Sequence, residues 1–357
     1  MSGPSTLRAS ALQGVACPTP VRDHDKVLLG HGSGGKLSAQ LLRDHFLPRF
    51  GNRYLEALGD GARVPVDGAE VVISTDTFVV SPLEFPGGNI GHLAVHGTVN
   101  DLAMMGAVPR YLSAGFVLEE GLDLSLLDRV LDSMAEAAAA CGVEVVTGDT
   151  KVVDRGKADG LYVNTTGVGF LTDGFRPAPD RVQAGDSILV SGPLGRHGMA
   201  IMAVREGLAF DADIESDTAS LSPVVEALRE ALGDSVRCLR DATRGGLASS
   251  LNEIAKASSV GMELSGDLPV PPAVEAACEM LGLDPLYVAN EGVMVAFVAP
   301  EAEAEALEAM RAHGVGASAA RVGTVVPEHP GMVVLRTGLG GTRVVDMLPG
   351  DQLPRIC

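Results

Sequence analysis

The chain has no stretch of about 18 apolar residues free of charge, so nothing in it reads as a membrane-spanning helix. Arg8 lies near the N-terminus, but no sustained apolar segment follows it, so no secretory signal is expected. Cysteine is sparse. Cys17, Cys141, Cys238 and Cys278 are scattered, and the fifth, Cys357, is the last residue. That spacing makes neither a disulfide framework nor a clear zinc, iron or nickel site. Basic residues are in deficit, 27 Lys and Arg against 46 Asp and Glu, and the formal net charge of -19 disfavours nonspecific nucleic-acid binding. With 46% hydrophobic and 20% charged residues over 357 positions, the chain is expected to be a cytoplasmic globular protein of two domains, on a prior of about 100–200 residues each.

The most informative stretch is 74–107, STDTFVVSPLEFPGGNIGHLAVHGTVNDLAMMGA. The apolar run before it predicts a strand over 71–76 with Asp76 at its rim. FPGGN (85–89) predicts a turn. From Ile90 onward, apolar Leu93, Val95, Val99, Leu102 and Met105 predict a helix with Asn100 and Asp101 on or near its polar side. VEVVTGDTKVV (143–153) repeats the arrangement, with a β-branched run delivering Asp149 and Lys151. Three carboxylates, Asp76, Asp101 and Asp149, suit Mg²⁺ held against a triphosphate, with Lys151 to offset phosphate charge. The bland alternative is surface acids beside a core helix and a turn tied by Asp149.

Other elements are predicted at 37–50, 124–142, 197–206, 220–232, 245–258, 272–281 and 301–313 (helices) and at 110–121, 161–171, 320–326 and 331–337 (strands), with a strand followed by a Gly-Pro turn within 185–195. LLGHGSGGK (28–36) carries four glycines whose backbone N–H groups, Gly34 and Gly35 among them, can close over phosphate. It is no phosphate-loop signature, because Leu37 stands where Ser or Thr is required. Asp241 and Arg244 precede Gly245–Gly246 and a helical pattern, which again suits phosphate or a simple helix cap. Asn290–Glu291–Gly292 reads as a hairpin turn; Glu291 is a candidate proton acceptor if the turn faces a cleft. The tail, GTRVVDMLPGDQLPRIC (341–357), is expected to be extended or mobile, with Cys357 a swinging thiolate carrier. The domain reading is a leader at 1–26 with a short helix at 6–13, a first domain at 27–176, a second at 177–338 and a tail at 339–357.

STDTFVVSPLEFPGGNIG, HGTVNDLAMMGA, VTGDTKVV, RDATRGG, NEG and terminal PRIC together resemble the HypE family of hydrogenase maturation proteins. The internal motifs also resemble the wider superfamily of aminoimidazole ribonucleotide synthetase and selenophosphate synthetase. The resemblance covers about residues 27–357 and implies an α/β (α+β) two-domain fold and a homodimer formed by pairing sheets. It implies an ATP-dependent carbamoyl dehydratase, with ATP and Mg²⁺ as cofactors, that converts a carbamoyl group on Cys357 to a thiocyanate. It also implies loading by the carbamoyltransferase HypF and delivery of cyanide to iron on the HypC–HypD scaffold complex for [NiFe]-hydrogenase. On this resemblance Cys357, Lys151 and Glu291 are catalytic. Gly34, Gly35, Asn100, Asp149 and Arg244 bind nucleotide, and Asp76, Asp101 and Asp149 hold metal. Two alternatives stay open: an ATP-dependent synthetase of a small product, and a nonenzymatic assembly scaffold.

Overall fold

The structure, a computed structural model, describes residues 26–32, 34–66, 69–171, 174–207, 214–338, 340–348, 353 and 355–357. The leader and its expected short helix lie outside the described residues, apart from Lys26. A 3-10 turn (Leu29–Gly32) is followed by helix α1 (Lys36–Leu41), a π-helical turn (Leu42–Phe46) and α2 (Leu47–Phe50). The first sheet is built from β1 (Ala62–Val66), β2 (Ala69–Phe78), β5 (Ala107–Glu119), β6 (Glu144–Val153) and β7 (Leu161–Leu171), in the order β1-β2-β7-β5-β6. A two-stranded ribbon of β3 (Glu84–Phe85) and β4 (Gly88–Asn89) leads into α3 (Ile90–Met104). Only β5 and β6 run parallel, and α4 (Leu124–Cys141) makes their crossover, ending on the left-handed Gly142.

Strand alternation gives this sheet two unlike faces. Phe78, Leu112, Ala114, Leu161 and Val163 point inward, onto a core shared with α3 and α4. Ile73, Tyr111, Val117 and Phe170 point the other way and remain exposed.

The second sheet has seven strands: β8 (Ser187–Val190), β9 (Val236–Asp241), β10 (Gly261–Leu264), β11 (Met294–Val298), β12 (Ala320–Val326), β13 (Val333–Arg336) and β14 (Thr342–Val345). Their order is β14-β13-β10-β12-β8-β11-β9, and β10–β13 is the parallel pair. Helix α7 (Gly246–Ser258) packs on one face, while α6 (Ser222–Leu232) and α9 (Glu303–Arg311) pack on the other. Helices α5 (Arg196–Glu206) and α8 (Pro272–Leu281) instead join the core of the first sheet.

Helix α3 lacks the polar side expected of it: twelve of its fifteen residues are buried. The first sheet covers one flank, and its C-terminal Ala103 and Met104 enter the core beneath α6 and β9. Asn100 is therefore not presented to a ligand. Its side-chain nitrogen donates to the Ala219 carbonyl at 3.0 Å and its oxygen accepts from the Leu221 N–H at 2.7 Å, which ties α3 to the second half of the chain. Two further expectations need amending. Asn290–Glu291–Gly292 is no hairpin turn, because the segment before it is a 3-10 turn (Pro285–Tyr287) and β11 starts only at Met294. Residues 342–345 are not loose tail but the edge strand β14, antiparallel to β13.

Replacing Asn100 with Ala strands a half-buried carbonyl and a buried N–H. The variant should lose about 2–6 kcal/mol of stability in denaturant unfolding, about 1–3 for each stranded group. Unchanged stability with weakened ligand binding would restore Asn100 as a ligand contact.

Candidate active site

Asp60, Asp76, Asp101 and Asp241 meet where the two sheets face each other. Asp60 lies between Gly59 and Gly61 just before β1, Asp76 on the inner face of β2, Asp101 in the last turn of α3 and Asp241 at the end of β9. Asp60, Asp101 and Asp241 each place a carboxylate oxygen within 4.8 Å of the others. Ser74 Oγ donates to Asp101 at 2.5 Å, and Arg240 Nε sits 2.8 Å from Asp60. Burial pushes Asp60 up to about 6. Burial, then the repulsion of neighbouring carboxylates, raises Asp101 and Asp241 well above the usual carboxylate range. Burial also raises Asp76, against the pull of Arg244. Buried oxygens that repel one another in this way fit a hard divalent cation, which would relieve the repulsion.

The opposite wall comes from the loop between β9 and α7. Arg244 donates to the Gly32 carbonyl at 3.3 Å, and the glycine loop folds over it. Gly34 has φ +74, and a Cβ there would lie 3.0 Å from the Arg244 carbonyl, so both its conformation and its packing require glycine. Gly35 lines the adjoining pocket. Lys36 is held in an ion pair with Asp346 at 2.5 Å, so it is not extended toward a phosphate. Glu291 is 4% exposed, and its Oε1 has no hydrogen-bond partner among the described residues. Burial first, then Asp241, Asp217 and Asp76, raise its pKa well above the usual range.

The chain end closes the site. Val79 N–H donates to the Cys357 carbonyl at 3.1 Å, and Ser81 N–H donates to the Arg355 carbonyl at 3.3 Å, a short antiparallel pairing. Ile356 is buried. The terminus is thus docked here, in contrast to the free tail expected, because the segment after β2 leaves backbone donors for it. Cys357 lines the same cleft as Gly34, Asp60, Asp76, Asp101, Asp241, Arg244 and Glu291. Among the influences on Arg244, Cys357 is the largest and raises its pKa; burial opposes this, and Asp76, Glu291 and Asp101 add to it. The cleft has a volume of about 310 Å³, at the lower end of the range of small-ligand sites.

The N-terminal domain of AIR synthase related proteins matches residues 59–171, and their C-terminal domain matches residues 183–335. The carbamoyl dehydratase HypE of Bradyrhizobium diazoefficiens is 52% identical over 330 residues, 92% of this chain and 95% of that one. A crystal structure of a HypE–HypF complex superposes with a TM-score of 0.82 at 43% identity, covering 86% of this chain and 99% of that one. A HypE structure in complex with ATP gives 0.79 at 49% identity, covering 93% and 100%. The chain belongs to the HypE family. It is an enzyme of the carbamoyl dehydratase type with the two-domain α/β fold of AIR synthase related proteins.

Not every residue drawn from the HypE resemblance reaches the cleft. Asp149 and Lys151 sit on edge strand β6, with side chains 72% and 68% exposed, and pair with each other. The ladder explains their absence. Asp76 pairs with Thr165, Thr165 with Ala114, and Ala114 with Gly148, so Asp149 faces the opposite side of the sheet. In place of Asp149 the acidic set contains Asp60 and Asp241. Asp60 lies outside every element predicted from the sequence, and its Gly-Asp-Gly setting is the signal that marks it: a Cβ at Gly61 would meet the Ile73 carbonyl at 2.9 Å. Among the described residues no helix is long and apolar enough to cross a membrane.

The acidic set makes a pH-dependent prediction. Asp60 has its folded pKa raised from 3.8 to about 6, so stability is lost as pH rises through that window. A bound divalent cation reverses this, so its thermal stabilisation should grow from about pH 5 to about pH 7.5. Asp241→Asn should weaken the cation's effect by about tenfold or more, and Asp149→Asn should leave it intact. The opposite ranking of the two variants would refute the assignment.

Proposed function

We propose that this chain holds MgATP in the cleft and dehydrates a carbamoyl group carried on Cys357. The observation that carries the reading is the convergence of the terminal cysteine with the acidic set, Arg244 and Glu291 on one cleft. The balanced reaction takes the S-carbamoyl group and ATP to thiocyanate, ADP, phosphate and a proton, with no net water. ATP would supply the phosphoryl group that makes the carbamoyl oxygen a leaving group, and Mg²⁺ would offset the phosphate charge. Asp60, Asp101 and Asp241 would hold the cation, with Asp76 beside them. Arg244, on which Cys357 is the largest electrostatic influence, would meet the negative charge that develops on the carbamoyl oxygen and phosphate. Glu291, which lines the cleft with Oε1 unpartnered among the described residues, would take an amide proton.

The carbamoyltransferase HypF is the proposed donor, by analogy with the related complex, and a HypC–HypD iron scaffold is the proposed cyanide acceptor in hydrogenase assembly. The setting would be cytoplasmic. The exposed face carrying Ile73, Tyr111, Val117 and Phe170 is the proposed homodimer contact. Asp149 and Lys151 lie on that face, so any part they take in catalysis would be played against the second copy.

Two measurements bear on this reading. With the carbamoyl oxygen isotopically labelled, the label should appear in phosphate, and Glu291→Gln should slow loss of water from the loaded terminus by about 100-fold without slowing loading. Label recovered in water, or normal dehydration in the variant, would overturn the phosphorylation route or the role of Glu291, respectively. Val117→Asp should convert a dimer to monomers in light scattering; a wild-type monomer at all concentrations would remove the dimer from the proposal.

A further inference from the structure

Two side chains of α5 grip the docked terminus by its backbone alone. His197 is fully buried, and its Nε2–H donates to the Ile356 carbonyl at 2.7 Å. A carbonyl can only accept, so Nε2 carries the proton and Nδ1 must accept, at 2.8 Å, from Ser216 Oγ–H. Ser216 Oγ in turn accepts from the Thr218 N–H at 3.1 Å, and the Ser216 N–H donates to the Pro86 carbonyl at 2.8 Å. The Phe85 ring stands edge-on to the imidazole, with centroids 5.5 Å apart. The imidazole is therefore fixed on its other sides, and its one donor is aimed at the chain end. Burial lowers its pKa to about 4, which keeps it neutral and in this tautomer.

About two turns further along α5, Arg205 donates from Nε to the Ser81 carbonyl at 2.5 Å and from Nη2 to the Arg355 carbonyl. It thus clamps both strands of the short pairing between residues 79–81 and the terminus. None of these bonds involves the Cys357 side chain.

We infer that His197 and Arg205 form a latch on the backbone of Arg355 and Ile356, positioning the Cys357 side chain in the cleft whatever group its sulfur carries. The inference rests on the dehydratase reading for its catalytic consequence, but not for its docking consequence. Dehydration needs the docked state and loading needs the undocked one, so weakening the latch moves a population between two steps of one cycle.

The test separates the two consequences. Without partner or nucleotide, Cys357 is alkylated with iodoacetamide, and the terminal peptide released by cleavage before Asp351 is followed by mass spectrometry. His197→Ala and Arg205→Met should each raise the alkylation rate about tenfold, the factor for loss of about 1.4 kcal/mol of docking. His197→Gln, which keeps a donor near Nε2, should stay close to wild type. In carbamoylated protein the first two variants should slow ATP-dependent loss of water by a similar factor, with loading unchanged or faster. Arg205 is only half-buried, so Arg205→Met keeps the test decisive should His197→Ala not fold. Wild-type alkylation rates in a folded variant would overturn the latch, even if dehydration were slowed. Faster alkylation together with no dehydration by the wild type would leave the latch standing and remove the dehydratase reading.

Discussion

Besides the half-exposed Glu253, five carboxylates share one cleft: Asp60, Asp76, Asp101, Asp241 and Glu291. Each is raised in pKa first of all by burial. Gathering like charges away from water is unfavourable, and a fold holds such a set only when the carriers cannot move apart. The architecture meets this condition by mounting the acids on elements braced elsewhere. Asp101 ends a helix buried in two cores, and Asp241 ends a strand paired to β11. Asp60 is held by Arg240, which also reaches Glu253 at 2.5 Å. The Asn100 bridge and the Ser216–Pro86 bond fix one half of the chain against the other, so the two sheets cannot relax the repulsion by separating.

The terminus obeys a different constraint, since a carrier must leave as well as arrive. Its pairing with the segment after β2 has two backbone rungs, against the eight aligned positions by which β2 meets β7. A net gain of about 0.5–1.5 kcal/mol per hydrogen bond makes the short pairing reversible where the long ladder is permanent. The added bonds from His197, Arg205 and Arg355 bring docking into a range that occupancy of the cleft can shift.

Regular structure was legible wherever local pattern decides it. The strand read at 161–171 is β7 and the helix read at 272–281 is α8, because apolar periodicity and flanking glycines act within a few residues. Facing was harder. Asp76 and Asp149 both follow β-branched runs and look equivalent along the chain, yet one lies inward and the other outward. That difference depends on registry across β7 and β5. Asn100 misled for the opposite reason: its neighbour Asp101 does reach the cleft, but a helix packed on both flanks spends a polar side chain on a backbone bridge. Cys357 was legible as a reactive carrier, while its docked position was not, since the donors at Val79 and Ser81 lie more than half the chain away.

Recognition through the backbone suits the chemical history of the terminal residue. Its sulfur would pass from thiolate to carbamoyl thioester to thiocyanate, and a site that read the side chain would bind one of these and reject the others. The Ile356 and Arg355 carbonyls do not change through that series.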